Sequence, residues 1–373
     1  MSLKDTEFRE NLIERIKRGE DFRGFDFSNK FLPDIKFYYQ EEKGKDPIVP
    51  DFSGADFSNT VLHNCDFLDG NFQDANFTGA DLRGSYLFGT DLRNTNFTGA
   101  FINRCHFYGS TLTGARLNKV HSQDSLLSAC ELNQCEMVGA DFRRCSFKDS
   151  NLVESNLAHA TLIDAYMEGA QLSFAKLKNA NLSRTVLFRA DLGKSDSRFA
   201  IFWKAVLGKY DSETGLYHGA NMGRGDFTGA DFRNSELVGV NMHAAIVHAT
   251  NFSGANLRGA NLSNLRIDEK TNLSDTNLVR ARFQNVDFTK LRLGGANLFE
   301  TMIDFDDIPQ NLWEEQQGDF MKAWEAYSQL KINFKSLGDR RGEKWAIRKE
   351  RKLRGICQKL ISASDKEKAA TQK

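Results

Sequence analysis

From Asp51 the chain reads DFSGA DFSNT VLHNC DFLDG NFQDA NFTGA DLRGS YLFGT DLRNT NFTGA, and this beat of five residues continues to Ile303. One position of each block, called 0 below, is a large hydrophobe: Phe52, Phe57, Leu62, Phe67, Phe72, Phe77, Leu82. Two residues earlier, at −2, the side chain is small: Ala55, Thr60, Cys65, Gly70, Ala75, Ala80. The remaining positions are Asp, Asn, Arg, Gly, Ser and Thr. An α-helix gathers its apolar stripe at spacings of three and four, so a strict five would scatter the hydrophobes around it. A helix is excluded over this stretch. A five-residue unit cannot bury its hydrophobe alone, and stability must come from stacking repeats on their neighbours.

The pattern A(D/N)LXX resembles the pentapeptide-repeat family, from about Asp51 to Ile303. The resemblance rests on tens of in-register copies rather than one motif. It implies a mainly β fold, a right-handed quadrilateral β-helix with four blocks to a coil, positions 0 and −2 inward and the others outward. At a strand spacing of about 4.8 Å, some twelve or thirteen coils would make a rod of roughly 60 Å with no deep pocket.

Proline placement agrees with a continuous ladder. The four prolines are Pro33, Pro47, Pro50 and Pro309, and none falls between Asp51 and Ile308. Nearly every backbone N–H in that stretch is therefore expected to be in use. Residues 1–20 form the first segment, in which Thr6 to Lys17 has Phe8, Leu12, Ile13 and Ile16 on one helical side, the expected N-terminal cap. The β-helix is expected over 21–307, its first coil carrying Phe22, Phe27, Leu32 and Phe37. Loop insertions are expected near 38–50 and 208–219. Between Ile267 and Leu273 the spacing becomes six, which predicts a one-residue bulge. Some family members that bind topoisomerase use projecting loops, and that resemblance marks 208–219 as a contact candidate beside the simpler reading of a tolerated insertion.

After Pro309 the grammar changes. Asn311 to Leu337 and Asp339 to Ser362 read as two helices of a module spanning 308–364, with Trp324, Tyr327, Leu330, Ile332 and Phe334 facing Trp345, Ala346 and Ile356. The pair resembles a single tetratricopeptide-like helix pair. Such repeats are normally stable only in several copies, so docking on the end of the β-helix is expected. Residues 365–373 are expected to be disordered.

The formal net charge is zero, yet between Phe320 and Leu360 twelve Lys and Arg oppose four Asp and Glu. Arg340, Arg341, Lys344, Arg348, Lys349, Arg351 and Lys352 form a candidate basic patch, either a solvated face or a site for an acidic partner or nucleic acid. Five of six cysteines, Cys65, Cys105, Cys130, Cys135 and Cys145, fall at −2, where their expected role is volume rather than ligation. There is no phosphate-cradling loop, HExxH, CxxC or nucleophile elbow. His63, His106, His121, His218, His243 and His248 count as outward or loop residues, and His159 as a corner. No catalytic residue, cofactor or metal is expected. The lack of a long apolar run and the charged start MSLKDTEFRE predict neither membrane span nor signal peptide, hence a cytoplasmic protein.

What remains is the outer surface. Residues twenty apart should stack, and one face gathers Leu68, Tyr86, Phe88, Tyr108, Leu126, Tyr166, Val186, Phe188 and Val206. An extended apolar stripe marks a contact surface, unless the chain covers it with its own N-terminal loop or C-terminal helices, or its rings serve only to tie neighbouring coils together. The expected function is a non-catalytic scaffold or adaptor for a protein partner of unknown identity, with self-association also open. The alternatives are a DNA-mimic regulator of gyrase or topoisomerase, as in some members of the family, and nucleic-acid binding through the basic helices. The first would want a strongly acidic surface, whereas this one mixes Arg and Lys with its acids.

Overall fold

The computed structural model describes residues 3–41 and 45–371. The chain divides into two compact units, 1–202 and 203–373, each taken by itself below. The expected loop near 38–50 includes residues 42–44, and the expected disordered tail includes 372–373; these lie outside the described residues.

One local device recurs in the first unit wherever Asp or Asn stands at −1, as in the block Asp81-Leu82-Arg83-Gly84-Ser85. Asp81 N–H donates to Thr60 O at 2.9 Å in the preceding coil, while Leu82 N–H and Gly84 N–H donate to Phe101 O (2.8 Å) and Asn103 O (3.0 Å) in the next. Ser85 N–H closes the turn on Leu82 O at 3.0 Å. The fifth donor, Arg83 N–H, has no coil to reach and is taken by the Asp81 carboxylate at 3.2 Å. All five N–H groups are thereby paired, as buried backbone demands. Asp or Asn at −1 is thus the acceptor for the first turn residue. Gly84 holds φ +74°, the left-handed conformation that this turn geometry needs at its third residue. Isolated bridges such as Asp81↔Phe101 and Tyr86↔His106 step by twenty, so four blocks complete each coil.

The core follows from that spacing. Phe22, Phe52 and Phe72 form a stacked column with centroids 4.9 and 5.0 Å apart. A second column holds Phe27, Phe57, Phe77 and Phe97, at 4.6 to 5.1 Å. The expected core of the first coil, Phe22, Phe27, Leu32 and Phe37, is buried, and its bridges step by thirty. The insertion thus adds ten residues without changing the phase. Its base is closed by Tyr39 and Ile48, paired antiparallel. Helix α1 (Leu3–Lys17) lies on this coil: Leu12 and Ile16 are buried, the Phe8 ring meets Phe27 edge-on at 6.4 Å, and the Arg15 guanidinium lies 4.7 Å from the Phe22 ring centre. Gly19 (φ +67°) ends the helix, and Glu20 N–H returns to Arg15 O.

The −2 residues do more than fill volume. Thiols donate to the position-0 carbonyl of the previous coil: Cys65 to Leu32 O at 3.1 Å, Cys105 to Leu82 O at 3.0 Å, Cys130 to Phe107 O at 2.9 Å and Cys135 to Leu112 O at 3.0 Å, with Cys145 to Ser122 O likewise. Ser85, Ser150 and Thr185 make the same bond. Burial pushes all five thiols up to about 12.

In the second unit the segment expected to interrupt the coils is a β-hairpin. Strand β1 (Val206–Tyr210) pairs antiparallel with β2 (Tyr217–Gly219) and parallel with β3 (Glu236–Leu237). Gly208 is forced by a close approach: a Cβ there would lie 1.9 Å from Val238 O. Coils then resume. The extra residue sits at Asp268–Thr271, where the Asp268 carboxylate accepts from Ala249, Lys270 and Thr271 N–H, and bridges such as Asn251↔Asn272 step by twenty-one.

The C-terminal part corrects three expectations. The first helix is split at Gly318 (φ +80°) into α2 (Trp313–Gln316) and α3 (Phe320–Ser336), because the Asp319 carboxylate caps a new helix by accepting from Lys322 N–H. Ile332 is exposed, and the face α3 buries holds Ala323, Ala326, Tyr327, Leu330 and Phe334. Helix α4 (Arg340–Thr371) continues past Ser364 to Thr371, through Lys, Glu and Ala residues of high helix propensity. The module completes the last coil chemically. Glu314 Oε1 accepts from Leu293 N–H (2.5 Å) and Gly294 N–H (2.7 Å), and Asn333 Nδ2 donates to Thr301 O at 3.1 Å.

Two predictions follow from these pairings. Leu157 is wholly buried, so Leu157→Asp is expected to cost more than about 3 kcal/mol. Asn181→Asp keeps the oxygen that accepts from Ser183 N–H and should melt like the parent; equal melting of both variants would contradict the register. Burial raises the Glu314 carboxyl above the usual glutamate range against the pull of its two N–H donors. A raised native value means that stability is present at low pH and lost as pH climbs through that range. Thermal unfolding across pH should therefore show Glu314→Gln flattening this loss, while Glu314→Ala, which orphans two N–H groups, destabilises at every pH by about 2 kcal/mol. Parallel pH profiles for wild type and Glu314→Gln would exclude this role.

Candidate functional site

The outward residues of the expected stripe start two residues before the corner of one face, in the ladder Asp66, Tyr86, His106, Leu126, Ser146, Tyr166, Val186. Tyr86 (44% exposed), Tyr108 (58%), Leu126 and Tyr166 are open to solvent, whereas Leu68, Phe88, Val186 and Phe188 are half-buried. At the edge of this face Tyr38 OH of the N-terminal loop donates to Asp66 at 2.9 Å. Val206 belongs to the second unit, in β1.

Within the stripe the ring that joins Tyr86 and Phe88 is His106. The Tyr86 and Phe88 centroids are 6.0 Å apart, Tyr86 stacks on His106 at 5.0 Å, and Phe88 lies 5.9 Å from His106. Counting residues placed His106 outward but gave no sign of this stacking. The signal was its spacing of twenty from Tyr86. The stripe is also broken: Ser128 and Ser146 share a hydrogen bond (2.8 Å) and Lys148 meets Glu168 at 3.7 Å. Two apolar patches result, Tyr86/Phe88/His106/Tyr108/Leu126 and Tyr166/Val186/Phe188.

Other exposed aromatic residues escaped the sequence reading. Phe174 and Phe199 stand at turn corners with φ +60° and +57°, about half exposed, where Gly, Asn or Asp is the easy choice. Lys194 Nζ covers the Phe174 ring at 4.7 Å.

The basic patch of the second unit is partly spent inside it. Lys349 and Lys352 both pair with Glu315 (3.0 and 3.2 Å), which also accepts from Tyr327 OH, and Arg341 pairs with Asp306 (2.9 Å) while lying over Phe305. Arg340, Lys344, Arg348 and Arg351 are exposed and have no ion pair among the described residues. Their spacing of four, four and three sets them along one stripe of α4.

Among the described residues no group of three or more His, Cys, Asp and Glu is disposed to hold a metal ion, and no helix is long and apolar enough to cross a membrane. A recess of about 580 Å³ in the first unit is open to solvent and lined by His63, Asn64, Arg83, Arg104, Asp124 and Arg144 among others.

The family model for pentapeptide repeats matches in eight copies, over residues 51–84, 85–121, 125–162, 165–196, 218–248, 226–264 and 269–301. No curated protein matches. Among solved structures, the chain is similar to HetL, a pentapeptide repeat protein involved in heterocyst differentiation regulation from the cyanobacterium Nostoc sp. strain PCC 7120, with 18% identity, 76% of this chain and 96% of that chain covered, and a TM-score of 0.30. It is similar to Rfr23 from the cyanobacterium Cyanothece 51142, at 19% identity over 36% of this chain and 95% of that one, TM-score 0.27. QnrB1, a plasmid-mediated fluoroquinolone resistance protein, is 14% identical over 62% of this chain and 96% of its own, TM-score 0.25. With five-residue blocks in register through both units and a family match over more than half its length, the chain belongs to the pentapeptide-repeat family, whose fold is a right-handed quadrilateral β-helix.

Proposed function

We propose that this protein is a non-catalytic, cytoplasmic interaction scaffold, with α1 and the α2–α4 module as end caps, and that it engages a protein partner through the aromatic patch of its first unit. The observation that carries this reading is the cluster of Tyr86, Phe88 and His106 with exposed Tyr108 and Leu126 beside it. The two exposed tyrosines and the rings behind them stand on backbone laddered to the neighbouring coils, with Tyr86 N–H donating to Cys65 O (2.9 Å), Leu87 N–H to His106 O (2.7 Å) and Phe107 N–H to Leu126 O (2.7 Å), so little ordering remains to be done on binding. Clustered, accessible aromatic residues are the usual anchors of protein interfaces.

Charge weighs against a DNA mimic. Several acids of the first unit are neutralised in place: Asp81, Asp91, Asp141 and Asp196 each carry an arginine two residues on, at 2.6 Å. A nucleic-acid role through Arg340, Lys344, Arg348 and Arg351 would give binding that weakens steeply with salt.

Phe88→Ser with Tyr108→Ser is expected to leave the β circular dichroism unchanged. It should abolish both partner capture from extracts of the native cell and any self-association seen by sedimentation. Retention of every partner by the double variant would move the contact elsewhere. Purified protein is expected neither to inhibit gyrase supercoiling nor to protect gyrase from a poison; clear inhibition at low micromolar concentration would replace the scaffold reading with the mimic.

A further inference from the structure

At the turn corners of one edge of the first unit, residues twenty apart run Asn64, Gly84, Arg104, Asp124, Arg144, Asp164, Arg184. From Asp124 onward this row is a ladder of clamps. Arg144 donates Nε and Nη2 to the two Asp124 carboxylate oxygens at 2.6 and 2.8 Å, and Arg184 grips Asp164 in the same way at 2.7 and 2.6 Å. Each arginine takes the acid one coil before it. Arg104 has no such acid, because the residue one coil before it is Gly84. Arg104 is exposed and has no ion pair among the described residues. Gly84, Arg104 and the Asp124 carboxylate held by Arg144 line the recess of about 580 Å³. Arg83 stands at its edge, gripping Asp81 through Nε and Nη2, which leaves its Nη1 hydrogens free of that pair. His63 lines the recess one coil before Arg83 in the same row. Asn64 donates its Nδ2 to Asp34 at 3.3 Å and turns its Oδ1 toward Gly84, so an anion must sit on the arginine side of the floor.

We propose that this recess is an oxyanion subsite in which Arg104 grips a carboxylate or phosphoryl group from outside the chain, in place of the acid that its own row omits. A bidentate guanidinium–oxyanion pair is the geometry already built twice farther along the row. Gly84 and Arg104 each lie two residues before Tyr86 and His106, around one corner from the aromatic patch. The carrier is therefore the partner of that patch; this identification rests on the scaffold reading, whereas the chemistry of the subsite does not.

The test uses inorganic phosphate and acetate as probes, titrated calorimetrically into the full chain at constant ionic strength against a chloride control. Wild type is expected to saturate with phosphate, and Arg104→Ala to weaken the binding by about tenfold or more. Gly84→Asp should also abolish it, since the new carboxylate completes the row; Asp124 and Asp164 hold φ of 61° and 59° at equivalent corners, so the backbone there accepts aspartate once Asn64 swings aside. That variant should melt above the wild type. Saturation by acetate as well as phosphate assigns a carboxylate carrier, and by phosphate alone a phosphoryl one. Phe88→Ser with Tyr108→Ser should bind phosphate as wild type does, which separates failure of the aromatic interface from failure of this subsite. Absence of saturation in the wild type, or equal affinity in Arg104→Ala, would overturn the proposal.

Discussion

The coils of both units depend on the backbone N–H groups that each block donates to its neighbours. Where Asp or Asn stands at −1, the first turn residue, which faces no neighbouring coil, has its N–H accepted by that side chain two residues before, as Arg83 is by Asp81 and Thr78 by Asn76. With that donor removed from the ledger, the other four N–H groups reach the adjacent coils or close the turn. A block of this kind can then repeat without an unpaired N–H. The acids of the repeat are thus structural acceptors first, and their abundance says nothing about catalysis. Proline is shut out of the positions whose N–H serves the ladder between coils or closes the turn.

Side-chain donors in the interior add a second tie between coils. A thiol or hydroxyl at −2 bonds the carbonyl of the core residue twenty-three positions earlier, as in Ser85 to Leu62 and Cys105 to Leu82. Neighbouring coils are locked in register by these bonds as well as by the outer ladder, and a thiol so placed is buried and poorly ionised. The ends need different chemistry. At the C-terminal end of the second unit the acceptor that a further coil would have offered is replaced by the Glu314 carboxylate.

The register, the core residues, the inserted loops and the six-residue step were all legible in the sequence, because a period of five tied to burial admits one phase and one only. Contacts between rows were harder to see. The stacking of His106 on Tyr86 and the clamp of Arg144 on Asp124 each join residues twenty apart, and the Ser128–Ser146 bond at the break joins residues eighteen apart, whose linear neighbours give no hint. They become readable once the period is used as a coordinate. The C-terminal helices lacked such a coordinate: their faces are fixed by packing on the last coil, so Ile332 and the split at Gly318 were misjudged. The extent of α4 beyond Ser364 was missed because a charged tail and a solvated helix share one composition. Exposed Phe174 and Phe199 sit where a left-handed backbone normally selects small residues, a violation that the five-residue count alone could have flagged.

The one-residue bulge at Asp268–Thr271 has a consequence for how surface features travel along the chain. Ahead of it, residue numbers that differ by twenty share a row, as Asn241 and Asn261 do; across it the interval is twenty-one, as for Asn251 and Asn272; beyond it twenty returns, as for Asn272 and Arg292. The second unit therefore behaves like a keyboard whose labels shift by one key partway along while the keys stay evenly spaced. Any alignment that scores positions by arithmetic alone will exchange inward and outward residues past Lys270. Transplanting a twenty-residue cassette across that point will preserve its outer row only if the bulge is carried with it.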